Sequence, residues 1–106
     1  TYNLGGNYSC NGASGTGPIS GSATIATSST AVTKMLLTIG LPQAITSTVT
    51  SSTALTIDNQ QIVDQGVTYS YTGSGSINGI NLTLNITETN GTTGEICTYT
   101  ITGVKQ

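Results

Sequence analysis

Few side chains in this sequence could do chemistry, and four of them are carboxylates. Glu88 and Glu95 flank the turn sequence TNGTTG, where two carboxylates could approach each other as the acid and base of a glycosidase do. Asp58 and Asp64 bracket the segment NQQIV and offer oxygen ligands of the kind that bind cations. Simpler interpretations are solubilising charges at a hairpin end for the glutamates and turn-forming residues for the aspartates. We favour these, and predict no catalytic residue, no metal site and no cofactor.

The remaining candidates are two cysteines. The sequence contains no histidine, which removes Ser-His catalysis and the usual general base. Cys10 and Cys97 lie near opposite ends of a small threonine-rich chain, a pattern that predicts a disulfide formed in an oxidising compartment. The alternative is two unconnected buried thiols. We therefore expect a protein that is not an enzyme.

The composition indicates which kind of secondary structure carries these cysteines and carboxylates. Charged residues make up 6% of the chain, whereas about a quarter is usual, and 22 Thr and 12 Ser supply hydroxyl groups instead. Threonine favours strands because its branched β-carbon suits a pleated surface. The composition predicts an all-β protein, and the length of 106 residues predicts one domain over 1–106.

The charge balance narrows the classes of partner. Only two lysines oppose four carboxylates, for a net charge of -2, and two cations cannot neutralise a run of phosphates. We therefore expect no nucleic-acid binding and no attraction to anionic membranes. No stretch approaches the ~20 apolar residues of a spanning helix, and no signal peptide is recognisable, so we expect a mature or trimmed chain.

Apolar residues alternate with polar ones through most of the sequence, as in half-buried strands. The clearest hairpin is YTGSGSINGINLTLNI, in which Asn78 and Gly79 suit a two-residue type I′ turn. That turn predicts inward pairs in a fixed register. The pairs are Ile77 with Ile80, Gly75 with Leu82, Gly73 with Leu84 and Tyr71 with Ile86. The segment DNQQIVDQG is predicted to be irregular.

Two inward glycines in mid-strand, Gly73 and Gly75, predict curvature, because glycine lets a sheet coil tightly enough to close. Cys10 and Cys97 also fall on inward rows, in the first and last strands. If those strands are neighbours, the sheet closes and the disulfide locks the seam. We predict a small antiparallel up-and-down β-barrel of about eight strands, with a two-sheet β-sandwich as the alternative.

Four of the five tyrosines, Tyr8, Tyr69, Tyr71 and Tyr99, fall on predicted inward rows. They are expected to fill the core, with their hydroxyls reaching a rim or a buried partner. The functional alternative is that they line the mouth of the barrel and hold a small apolar or sugar-like ligand.

Several segments resemble the small lipocalin-like, calycin-type β-barrel domains of secreted Bacteroidota lipoproteins. They are GGNYSCNG, ISGSATIATSS, STALTIDNQQI, GSGSINGINLTLNITET and CTYTITGVK, which together span nearly the whole chain. The resemblance implies a meander barrel and an extracellular or cell-envelope location. It transfers no catalytic residues.

The uncharged hydroxyl surface favours a non-catalytic secreted or cell-surface barrel that acts as a structural, adhesive or assembly module. Its expected partners are further copies of itself, other surface proteins or glycans. A carrier of a small ligand is the alternative function. Binding of ice or crystalline polysaccharide is a third hypothesis, disfavoured because a tight barrel is strongly twisted whereas such surfaces are flat.

Overall fold

In the computed structural model, which describes residues 2–12, 15–27, 33–39 and 43–106, alternating sequence segments form eight antiparallel strands. The strands are β1 Tyr2–Cys10, β2 Thr16–Thr27, β3 Thr33–Thr38, β4 Ile45–Val49, β5 Ala54–Asp64, β6 Val67–Asn78, β7 Asn81–Asn90 and β8 Ile96–Lys105.

Each strand pairs with its sequence neighbours, and β8 pairs with β1, so the sheet is a closed barrel. The predicted up-and-down barrel is confirmed, and the sandwich alternative is excluded. Odd-numbered strands end, and even-numbered strands begin, at the end of the barrel that holds Cys10 and Cys97. We call this the cysteine end.

The core is widest toward the other end of the barrel, and the same cluster of buried residues continues to Tyr71 and Cys97 at the cysteine end. Tyr2 and Leu4 from β1 are buried there with Leu82 and Leu84 from β7. Fully buried side chains from the remaining strands complete the packing, among them Met35, Leu37, Leu55, Ile57 and Ile101. Tyr2 shares the inward face with Leu4, so the period of two could have identified it as a core residue.

The register of the β6–β7 hairpin differs from the prediction. Asn78 pairs with Asn81, and Gly79 and Ile80 form the turn. Gly79 has a φ of 62°, whereas Ile80 is not among the positive-φ residues, the pattern of a type II′ turn with glycine first. The type I′ turn predicted at Asn78 and Gly79 is therefore wrong.

The shift moves every cross-strand partner of β6 by two residues along β7. Ile77 pairs with Leu82, Gly75 with Leu84, Gly73 with Ile86 and Tyr71 with Glu88. Because the shift is even, each side chain keeps its predicted face. Ile80 is the exception: it lies in the turn and is 59% exposed rather than inward.

The segment predicted to be irregular is instead most of β5 and the turn that follows it. A bulge shifts the β5–β6 register between Ile57 and Gln60. The Gln60 side chain accepts a hydrogen bond from the Thr46 N–H and donates one to the Thr46 carbonyl, both at 2.9 Å. At the β5–β6 turn, Gln65 and Gly66 both have positive φ (52° and 81°), as a type I′ turn requires.

Gly73 lies where β6 and β7 approach closely. A β-carbon at Gly73 would lie deep inside contact distance of the Asn85 carbonyl oxygen, and its φ of 156° is one that other residues rarely adopt. At Gly75 a β-carbon would lie 2.7 Å from both the Thr83 carbonyl oxygen and a Leu84 methyl group. The close approach of β7 thus supplies a direct reason for glycine at both positions, whose role in barrel curvature stays a prediction.

Candidate tyrosine cavity

A cavity of about 260 Å³ opens at the cysteine end of the barrel. Tyr8, Tyr69, Tyr71 and Tyr99 all line it, from β1, β6 and β8. Its wall also includes the carboxylates of Asp64, Glu88 and Glu95 and both halves of the disulfide. We call this space the tyrosine cavity. The structure thus brings together the four tyrosines that the alternation placed on inward rows.

Strand register explains how the residues meet. Cys10 of β1 lies opposite Cys97 of β8, Cys97 lies opposite Glu88 of β7, and Glu88 lies opposite Tyr71 of β6. These four inward side chains form one row across four adjacent strands. Tyr8 and Tyr99, which are also directly opposed, belong to the next row toward the core. The cavity lining is therefore a product of barrel closure, since Cys10 and Tyr8 come from the first strand and Cys97 and Tyr99 from the last.

Glu88 is the central polar group of this site. Its side chain is buried, with 8% of its surface exposed, and Tyr71 and Tyr99 both donate hydrogen bonds to its Oε2. The Tyr99 bond is 3.1 Å long. Because both phenols bind the same oxygen, the other carboxylate oxygen accepts neither of them. The prediction that Glu88 is a solubilising surface charge is therefore wrong.

Burial raises the pKa of both tyrosines far above the ordinary value of 10.0, and the neighbouring negative charge and hydrogen bond of Glu88 raise it further. A phenolate would have to form in a poorly solvated site beside a carboxylate. Tyr71 and Tyr99 consequently remain neutral hydrogen-bond donors throughout the physiological range.

Two of the tyrosine rings contact each other. The rings of Tyr8 and Tyr99 have centroids 5.9 Å apart and are tilted by 37°, within the spacing usual for interacting aromatic pairs. Gly17 lies opposite Tyr8 in the register, and a β-carbon there would lie 2.8 Å from the Tyr8 hydroxyl oxygen. A larger residue at Gly17 would therefore displace the Tyr8 ring.

The two aspartates have separate positions. Asp58 lies at the β5 bulge, where it accepts hydrogen bonds from Lys34 at 2.9 Å and from the Thr48 hydroxyl at 2.6 Å. Asp64 ends β5 at the wall of the tyrosine cavity. The structure therefore does not bring them together as a cation site. Asp64 is the first residue of the four-residue β5–β6 turn, as the simpler interpretation predicted, whereas Asp58 lies within β5.

Glu95 lines the cavity with Glu88, and its carboxylate also lies against Gly12. Its oxygen and the sulfur atoms of Cys10 and Cys97 form a cluster compact enough for a metal ion. Both sulfurs are already joined in the disulfide, which leaves no thiolate to act as a ligand. We assign no metal to this cluster.

Sequence reasoning missed the role of Glu88, although the signal was present. Leu82, Leu84 and Ile86 alternate on the inward face of β7, and Glu88 is the next residue of that series. The assumption that a charged residue near a turn faces water outweighed the period of two. The hydrogen bonds with Tyr71 and Tyr99 make the inward position tolerable, because buried polar groups are stable when their partners are in place.

Chemically, the site offers a fixed carboxylate, two phenol donors and aromatic surface around a small space. Such a combination can hold a compact molecule by hydrogen bonds and ring contacts. In the part of the chain that the structure describes, no helix is long and apolar enough to cross a membrane. Comparisons with protein-family models, with curated proteins and with solved structures find no match to this chain.

Proposed function

We propose that this protein is a non-catalytic binding barrel that holds one small ligand in the tyrosine cavity. The observation that carries the proposal is the convergence of four tyrosines from three strands on one cavity, at the open end of a barrel whose other end is packed. Ligand sites commonly combine apolar walls with a few fixed polar groups. Here Tyr71, Tyr99 and Glu88 supply the fixed polar groups.

The size of the cavity limits the ligand. At about 260 Å³ it lies just below the ~300–1,000 Å³ usual for small-molecule sites, so the ligand is compact. The proposal places the protein in an extracellular or cell-envelope setting. The Cys10–Cys97 disulfide is consistent with an oxidising compartment, and the eight-stranded barrel is compatible with the lipocalin-like resemblance of the sequence.

Native mass spectrometry of freshly purified protein tests the proposal. We expect a fraction of the protein to carry a small-molecule mass that is lost on denaturation. Tyr69→Ser, which removes part of the cavity wall, should lower that fraction, whereas Val63→Ser on the exposed side of β5 should not. Absence of any bound molecule, together with no cavity-localised response to a library of small ligands, would refute it.

A self-associating surface module is a second candidate. A groove of about 540 Å³ crosses the outer face of β2, β1 and β8 and is lined by uncharged residues, including Asn7, Thr16, Pro18, Thr98 and Thr100. An uncharged face lacks the repulsion that normally keeps surfaces apart, so a second copy could cover it. Within the described residues every strand has two paired neighbours, so none of these strands offers a free edge to which another strand could be added.

Sedimentation at rising concentration tests this second candidate. We expect Thr100→Lys, which places a charge in the groove, to shift the protein toward monomer. Thr83→Lys, on the exposed face of β7 outside the groove, is the matched control. A wild-type protein that stays monomeric at millimolar concentration would contradict the idea.

A further inference from the structure

We propose that the ligand of the tyrosine cavity is a small organic cation, an ammonium group carried on a compact carbon frame. This inference rests on the proposed binding function and adds the chemical class of the ligand. Its basis is the charge of the wall: Asp64, Glu88 and Glu95 line the cavity, and none of the described lining residues is basic.

The two lysines of the chain lie elsewhere. Lys34 donates hydrogen bonds to Asp58 at 2.9 Å and to Thr48 at 2.7 Å. Lys105 is exposed near the opposite end of the barrel, where it pairs in register with Tyr2. Neither lysine is among the described residues that line the cavity, and the sequence has no other lysine or arginine.

Glu88 is the buried one of the three carboxylates that line the cavity. With 8% of its surface exposed, the Glu88 side chain has little contact with water and depends on neighbouring groups for hydrogen bonds and for an opposite charge. Tyr71 and Tyr99 supply hydrogen bonds but are neutral, because their raised pKa values keep them protonated. The opposite charge is the one component that the described wall does not provide, and a cationic ligand would supply it.

The tyrosines that line the cavity favour an organic cation over a metal ion as its ligand. Tyrosine rings attract cations placed over their faces, and such contacts are strongest where water is excluded. Calcium and magnesium instead require about six or more oxygen ligands. Four tyrosines, Ile62 and the disulfide are among the residues that line the cavity, and they can contact the methyl or methylene groups around an ammonium nitrogen.

The test compares choline with 3,3-dimethylbutan-1-ol, which keeps the shape of choline but replaces the charged nitrogen with carbon. Calorimetric titration of the wild-type protein should show choline binding at least about tenfold more tightly than the neutral isostere. Glu88→Gln keeps the side-chain shape and removes the charge. In that variant we expect choline affinity to fall by about tenfold or more, and by more than the affinity for the isostere falls.

Asp58→Asn is the matched control, because it removes one carboxylate outside the cavity and should leave choline affinity unchanged. Should Glu88→Gln fail to fold, the wild-type comparison and Asp64→Asn, a change at an exposed wall residue that should weaken choline binding, still decide the question. Equal binding of choline and the isostere would overturn the inference and leave the proposed binding function standing. The inference would also be overturned if the protein bound calcium ions, added as calcium chloride, and not choline, or if it did not bind choline at all.

Discussion

Cys10 and Cys97 lie directly opposite each other on β1 and β8, with their Cα atoms 4.0 Å apart and their sulfur atoms joined. The disulfide predicted from the sequence is thus confirmed, and it spans the seam where the first and last strands close the barrel. The same pair lines the tyrosine cavity. One covalent bond therefore fixes both the closure of the sheet and one wall of the candidate site.

Removal of this bond should destabilise the barrel. The two cysteines are 87 residues apart, and the chain-entropy model gives a stabilisation of about 4–5 kcal/mol for a loop of that length. We expect urea titrations to show that the free energy of unfolding of the Cys10→Ala, Cys97→Ala double variant is lower than that of the wild type by about this amount. Reduced wild-type protein should behave like the variant, and a variant with an unchanged midpoint would show that the seam does not depend on the disulfide.

Gly73→Ala should destabilise the protein by about 2–3 kcal/mol, because the added methyl group overlaps the Asn85 carbonyl oxygen of β7. Gly5→Ala is a matched control in mid-strand β1, where a β-carbon would meet nothing within 4 Å. That control should be neutral or slightly stabilising. Chemical denaturation of both variants measures the difference, and equal midpoints would contradict the close approach of β6 and β7.

Stability should fall as the pH rises above about 10, the ordinary pKa of tyrosine. Tyr71 and Tyr99 have a higher pKa in the folded protein than in the unfolded chain, since burial and Glu88 disfavour their phenolates. The stabilisation that these two tyrosines contribute is complete while the pH is below their pKa in the unfolded chain. It is lost as the pH rises above that value toward their pKa in the folded protein. The loss should reach about 1 kcal/mol per pH unit for each tyrosine.

Urea midpoints measured across the alkaline range check this pH dependence. Tyr71→Phe and Tyr99→Phe should each reduce its slope, because each variant removes one titrating group. Tyr2→Phe, a change at a buried tyrosine outside the cavity, serves for comparison. If stability falls with pH equally steeply in the wild type and in both variants, Tyr71 and Tyr99 do not cause the pH dependence.

The Lys34–Asp58 ion pair should contribute little. Both side chains are partly exposed, at 37% and 29%, and pairs of this kind are worth about 0–1 kcal/mol. Burial raises the pKa of Asp58, but the hydrogen bonds from Thr48, Lys34 and Thr46 and the positive charge of Lys34 together lower it by more, so the pKa lies below its ordinary value. The resulting stabilisation is present above the unfolded pKa and is lost as the pH falls through the folded pKa.

Lys34→Met should therefore cost less than about 1 kcal/mol at neutral pH, and less still once Asp58 is protonated. Lys105→Met removes an equivalent charge at an exposed site and should have almost no effect. Urea titrations of both variants at neutral and strongly acidic pH provide the measurement. If Lys34→Met loses the same stability in acid as at neutral pH, the loss comes from packing of the Lys34 side chain and not from its charge.

Alternation predicted most of this fold, because burial of one sheet face imposes a period of two that is visible in the sequence. It placed the inward tyrosines and both cysteines correctly, which was enough to predict closure. It could not locate the β6–β7 turn: Asn78 and Gly79 match a type I′ turn, but the backbone places glycine first in a type II′ turn instead. The choice depends on pairing along the whole hairpin.

The candidate site was only partly predictable for a related reason. The tyrosines could be assigned to inward rows, whereas the burial of Glu88 depends on phenol groups that are distant in the sequence. Likewise, the Gln60 side chain bonds to the Thr46 backbone beside the β5 bulge, an arrangement with no simple periodic signature. Long-range polar contacts of this kind require the assembled barrel.

Mapping of amide chemical shifts during titration with a panel of compact amines, alcohols and monosaccharides tests the central claim most directly. The binding proposal predicts saturable shifts for at least one compound, clustered around Tyr71, Glu88 and Tyr99. Amides at the packed end of the barrel, such as Leu4 and Gly79, should not move. No saturable shifts at millimolar concentrations, or shifts confined to the outer groove across β1 and β8, would contradict a ligand site inside the barrel.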